Sequence, residues 1–141
     1  MPEKSPDGFE RVFTGTPWEP KVGYCRAVKA GHHVHVSGCA PVAEAAEGGG
    51  VFAPGDAYAQ ARRCIEIAMA ALAELGGTAA HVVRTRMFVT DISRWQEYGR
   101  AHHDAFGDTM PAATMIEIAG LVDPRMLVEV ETVAYRPAIG T

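Results

Sequence analysis

The last strand-like run of this 141-residue chain, Leu127 to Tyr135, is apolar on both of its faces, and that limits what the chain can fold into. Leu127, Glu129, Glu131 and Val133 alternate with Val128, Val130, Thr132 and Ala134, and each set contains apolar side chains. A strand of this kind needs cover from two sides. Two helices are written earlier in the chain. Asp56 is placed to cap the first, whose stripe of Ala61, Ile65, Ala68, Leu72 and Leu75 ends at Gly76-Gly77. Asp91 is placed to cap the second, with the stripe Ile92, Trp95, Gly99, His102 and Phe106, closed by Gly107 and barred from continuing by Pro111. Further alternating runs cover residues 24–29, 32–37, 82–90 and 113–119, the first two joined through Ala30-Gly31 as a hairpin.

The order strands, helix, strand, helix, strands fits one α+β domain over residues 1–141, a single sheet with both helices on one face. Residues 1–20 form an N-terminal segment, and residues 43–55, opening on AEAAEGGG and ending in Pro54-Gly55, read as a mobile loop. Helices cover only one face, so the other is expected to be covered by association. Periodicity does not give the number of subunits.

Composition narrows the function classes. The apolar fraction of 48% is enough for a core, and the 21% of charged residues is ordinary for a folded domain. A net charge of -4 argues against a surface built for nucleic acid. No run approaches the roughly 18–20 apolar residues that would span a membrane. The N-terminus has early charge and no apolar core of a signal peptide. Cys25, Cys39 and Cys64 are odd in number and lack CxxC spacing, which points to a reducing compartment, the cytoplasm. His33 and His35 share a strand face and His102-His103 lie on a helix, but nothing fixes a third ligand, so neither a metal nor another cofactor is expected.

Several local patterns then occur together in order. Gly23-Tyr24 precedes AVKAG and HVSG (His35 to Gly38); GDAYAQARRCIE opens the first helix; LGGTAAHVVRTRMFVTDI leads through the middle strand; Pro111-Ala112 precedes VEVETVA (Val128 to Ala134). As a set, spread over nearly the whole chain, they resemble the Rid (YjgF/RidA) family. The resemblance implies a chorismate-mutase-like fold, a homotrimer with its sheets packed around a central axis, and a small-molecule pocket at each subunit interface. It also implies hydrolysis of reactive enamines and imines to keto acids and ammonia, although some relatives carry the labels endoribonuclease or translation inhibitor.

Carried onto this sequence, the family pattern makes Glu129 the catalytic carboxylate and Tyr24 and Ser37 pocket residues, with Cys39, Ala113, Thr114 and Met115 beside them. From the residues alone Glu129 can equally be a strand carboxylate paired with Arg26 or Arg86, and Cys39 an inert buried thiol. The family's deaminases read Pro-Ala-Arg-Ser where this chain reads Pro111-Ala112-Ala113-Thr114. An arginine there pairs bidentately with the substrate carboxylate, and a methyl group cannot. Losing such a contact costs about 2–5 kcal/mol. The expected activity is therefore that of a Rid-like hydrolase with an altered substrate range. The alternatives are a ligand-binding or regulatory trimer without turnover and, disfavoured by charge, a ribonuclease. Arg26 and Arg86 are candidates to restore an anion site from another wall, against the simpler reading of pairs with Glu117, Glu129 or Glu131.

Overall fold

The computed structural model describes residues 2–137. Along the chain come β1 (Glu3–Lys4), β2 (Glu10–Val12), α1 (Trp18–Val22), β3 (Ala27–Ala30), β4 (His33–Cys39), α2 (Ala57–Glu74), β5 (Val82–Val89), α3 (Trp95–Phe106), β6 (Ala112–Glu117) and β7 (Val128–Tyr135). The strands form one sheet in the order β1-β2-β3-β4-β7-β5-β6. Only β5 and β6 run parallel, because α3 connects them as a crossover. The N-terminal segment adds β1, β2 and α1 to the expected elements. These are too short and too charged to show a period.

Helix α2 begins where the Asp56 carboxylate accepts from the Ala59 N–H at 2.9 Å, and it lays Ala57, Ala61, Cys64, Ile65, Ala68 and Leu72 on the sheet. Gly76, at φ +83°, lets the chain turn back after it. At Gly77 a Cβ would stand 2.5 Å from Leu72 Cδ1, so the chain can leave the helix this closely only through glycine. Beneath the helices lie Val34 and Val36 of β4, Met87 and Val89 of β5, and Val128 and Val130 of β7, all buried. The segment 43–55 is a loop closed at its base by a Val42–Val51 bridge and tied to α2 by Arg63 Nε donating to Val42 O at 2.8 Å.

One helix departs from the expected stripe. Asp91 caps a 3-10 turn, Ile92–Arg94, accepting from Ser93 N at 3.1 Å, and α3 proper starts at Trp95. Trp95 is 55% exposed and Ile92 is exposed as well. The buried residues are Tyr98, Ala101 and Phe106, and the Tyr98 hydroxyl donates to Asp91 O at 3.2 Å. A 3-10 turn advances three residues per turn, which shifts the phase at the start of the helix, so Tyr98 and Ala101 are buried in place of Trp95 and Gly99, while Phe106 is buried as expected.

The face of the sheet away from the helices carries His33, His35, Arg84, Arg86, Glu129, Glu131 and Val133. Val83, Ile116 and Tyr135 are exposed.

Candidate functional site

The alternation of β4 breaks just where its family-like residues lie: register with β7 slips between Val36 and Cys39. A bulge bends the strand and re-aims its side chains. Gly38 sits in it, and a Cβ there would meet Glu129 Oε1 at 2.1 Å and Glu129 Cδ at 2.9 Å. The carboxylate of Glu129 therefore rests in the space that a side chain at position 38 would fill. Burial pushes the Glu129 carboxyl above its ordinary value; the nearby charge of Arg26 works against this and that of Glu131 adds to it. A half-buried carboxyl raised in this way can both accept and return a proton.

Arg26 closes the same corner. Its Nη1 donates to Gly38 O at 2.8 Å and lies 3.6 Å from Cys39 Sγ, and its Cζ stands 5.6 Å from the centre of the Tyr24 ring. None of the pairings set out for it, with Glu117, Glu129 or Glu131, is formed within ion-pair distance among the described residues. Ser37 Oγ donates to Cys25 O at 2.7 Å, so its proton is committed while its oxygen can still accept. Cys39 is buried, and burial raises its thiol pKa despite the Arg26 charge, which favours the inert thiol over a nucleophile. Tyr24, Arg26, Ser37, Cys39 and Glu129 are thus gathered around Gly38.

The motif on β6 lies elsewhere. Ala113 pairs with Thr85 of β5 and is exposed, and β5 stands between β6 and β7. Within one chain Ala113 and Glu129 do not meet. Thr114 accepts from Arg84 Nη2 at 2.8 Å, and Met115 packs against the core. Arg84 is the arginine that reaches the β6 motif, a contact that strand alternation alone could not assign. Arg86 is held by Glu131 at 3.0 Å, which is the simple pairing set out for it.

Two cavities border these residues. One of about 600 Å³ is walled by Tyr24, Cys25, Arg11, Phe13, Thr16 and Glu19. In its wall the buried carboxylate of Glu19 accepts from Thr14 and Gly15 N–H groups; burial would raise its pKa, but these bonds hold it below its ordinary value. The second, about 270 Å³, lies on the open sheet face between His35, Ser37, Arg84, Arg86 and Glu131. Among the described residues no three His, Cys, Asp or Glu side chains converge as a metal site, and no helix is long and apolar enough to cross a membrane.

Comparison with known proteins bears on the family and the fold. A family model described as Endoribonuclease L-PSP matches residues 15–136. An uncharacterised protein of Streptomyces coelicolor is 36% identical over 133 residues, which is 94% of this chain and 96% of that protein. A Mycobacterium tuberculosis member of the YjgF/YER057c/UK114 family superposes with a TM-score of 0.80 at 40% identity, covering 91% of this chain and 99% of that one. The YjgF gene product of Escherichia coli superposes with a TM-score of 0.75 at 26% identity, covering 89% and 94%.

Proposed function

This chain belongs to the Endoribonuclease L-PSP (YjgF/RidA) family, and on that premise we propose that it hydrolyses small imines, with Glu129 as the catalytic group. The observation that carries the proposal is the seat of the Glu129 carboxylate, half-buried over Gly38 with its pKa raised by burial. In the reaction one water adds across C=N. Glu129 takes a proton from the water as its oxygen bonds to carbon and passes that proton to the nitrogen, giving a carbinolamine. It then takes the hydroxyl proton and delivers it to the nitrogen as the C–N bond breaks, so that a carbonyl compound and ammonia leave and Glu129 is restored. Such proton transfer by a placed carboxyl contributes about 10²–10⁴ in rate. Tyr24 borders the larger cavity and Ser37 the smaller, and in this reading each presents a surface to the substrate, the first its ring and the second an accepting oxygen.

The substrate range differs from that of amino-acid imines, because Ala113 offers no charge to a carboxylate on the β6 side. We place β6 opposite Glu129 across a subunit boundary of a cytoplasmic homotrimer. The separation of Ala113 from Glu129 within one chain supports a pocket completed by a second copy.

The test is ammonia release from freshly generated iminopyruvate and from a carboxylate-free imine, in the wild type and in Glu129→Gln. The expected result is turnover that falls about a hundredfold or more in the variant. Release from neither substrate would leave a binding protein and sink the hydrolase reading.

A further inference from the structure

A helix of five residues is not stable on its own in water, so its position is set by whatever anchors it. α1 has no apolar anchor. Trp18 and Val22 are 60% and 73% exposed, Pro20 and Lys21 are exposed as well, and the one buried residue is Glu19, at 3%. A buried carboxylate is tolerated only when its oxygens are satisfied, so Glu19 holds by hydrogen bonds rather than by packing. Its Oε1 accepts from Thr14 N at 3.1 Å and from Gly15 N at 3.3 Å, and its Oε2 accepts from the Thr14 hydroxyl. The side chain thereby ties α1 to the segment that leaves β2.

The backbone of the same residue holds the other end of the helix. Glu19 O accepts from Gly23 N at 2.8 Å and from Tyr24 N at 3.1 Å. Two residues later Arg26 N donates to Val12 O at 2.8 Å, where the chain enters the sheet. The backbone of Tyr24 therefore hangs between Glu19 and the start of β3. Glu19 and Tyr24 both wall the cavity of about 600 Å³, together with Phe13 and Cys25.

We propose that Glu19 is the positioning residue of the Tyr24 wall: its clasp on Thr14 and Gly15 fixes α1, and its carbonyl then sets where Tyr24 stands beside the cavity. The proposal rests on the hydrolase reading above, in which Tyr24 presents its ring to the substrate. It adds a residue that acts through Tyr24, since the Glu19 oxygens are already taken by Thr14 and Gly15.

The first test needs no turnover. Amide hydrogen exchange is compared in the intact wild type, Glu19→Ala and Glu19→Gln. Exchange at Gly23 and Tyr24 should quicken about tenfold in Glu19→Ala and about threefold in Glu19→Gln, where one side-chain oxygen still accepts, while amides in the middle of α2 keep their rates. Unchanged exchange at Gly23 and Tyr24 would separate the clasp from the tyrosine, and a rise that reaches α2 would make Glu19 a general stabiliser; either result overturns the proposal. If Glu19→Ala does not fold, Thr14→Val, which removes the donating hydroxyl and keeps the N–H, decides on the same two amides by the same criterion.

The second test reads the reaction. Glu19→Ala should raise KM about tenfold and leave kcat within about twofold, because the seat of Glu129 belongs to β4 and β7. In a Tyr24→Ala background the same substitution should change kcat/KM by less than about twofold. A fall in kcat at constant KM, or an undiminished effect once the Tyr24 ring is gone, refutes action through Tyr24. A wild type without turnover sinks the hydrolase reading alone, and the exchange rates then decide whether Glu19 holds Tyr24.

Discussion

The wall made by β3, β4 and β7 and the edge made by β6 are built on opposite principles. In the wall two candidate side chains are held by backbone carbonyls, Arg26 by Gly38 O and Ser37 by Cys25 O, and the Glu129 carboxylate fills the space over Gly38. At the edge, Ala112, Ala113, Thr114, Ile116 and Glu117 are exposed, and the side-chain contact made there by Thr114 comes from Arg84. The wall lies in the middle of the sheet, where pairing on both sides sets the register. The edge has a pairing strand on one side alone. The wall is thus packed and paired on both sides, while the edge lies open.

If the wall is as tightly fitted as this, its weakest point is the missing side chain. Gly38→Ala would put a methyl 2.1 Å from Glu129 Oε1. The carboxylate is the end of a flexible side chain and can swing away, so stability should drop by only about 1–2 kcal/mol. Activity should fall nearly as far as in Glu129→Gln, about a hundredfold, because the displaced carboxyl no longer meets substrate. Gly120→Ala, with nothing within 4 Å of its Cβ, is the control. A Gly38→Ala protein with normal kcat would mean that the seat of Glu129 is irrelevant to the chemistry.

The edge is challenged in the other direction, by adding what it lacks. Ala113→Arg should raise kcat/KM for iminopyruvate about tenfold and leave a carboxylate-free imine unchanged. No gain with iminopyruvate would show that β6 does not face the pocket even in the assembled protein.

The wall also has a signature in pH. Burial raises the Glu129 pKa, so the rising limb of kcat/KM should lie above the ordinary glutamate value of about 4.3. The same shift bears on stability. A carboxyl with a raised folded pKa favours the fold below its unfolded pKa, and that contribution is lost as pH rises through the folded value. At pH 7 ionised Glu129 therefore weighs against the fold. Glu129→Gln should melt at the same temperature as the wild type or higher while losing activity, and a clearly lower Tm would contradict the burial of this charge.

Much of the fold was legible because it is local or periodic. The Asp56 cap, the α2 stripe and the alternation of β4, β5 and β7 all follow from spacing within a few residues. The first part of the α3 stripe, Ile92, Trp95 and Gly99, was misplaced, since the turn at Ile92–Arg94 changes the phase without changing the composition, whereas Phe106 was placed correctly. The site was legible as residue types but not as contacts. Nothing between positions 26, 38 and 129 says that a bulge will bring Arg26 to Gly38 O and Glu129 over the same glycine. The pairing of Arg86 with Glu131 was among the readings of strand alternation, whereas Arg84 meeting Thr114 depends on the parallel register of β5 and β6.

Beneath both regions, on the helix-covered face, Thr132 of β7 and Thr85 of β5 stand opposite each other in register. The Thr85 hydroxyl is paired with His102 Nε2 at 2.8 Å, while the Thr132 hydroxyl is buried without a partner. Removing a satisfied group leaves its partner orphaned, whereas removing an orphan relieves a desolvation cost. Thr85→Val should then cost about 1–3 kcal/mol, and Thr132→Val should be neutral or stabilising by up to about 1 kcal/mol. Burial, with a smaller contribution from His103, lowers the His102 pKa, so the folded state disfavours its charged form. Stability from this group is present above the ordinary histidine pKa of about 6.5 and is lost as pH falls below it toward the lower folded value. Urea unfolding at pH 7.5 and pH 5.5 checks both points. If Thr132→Val proved the costlier substitution, the β7 hydroxyl would have to be serving a polar group in the assembled protein.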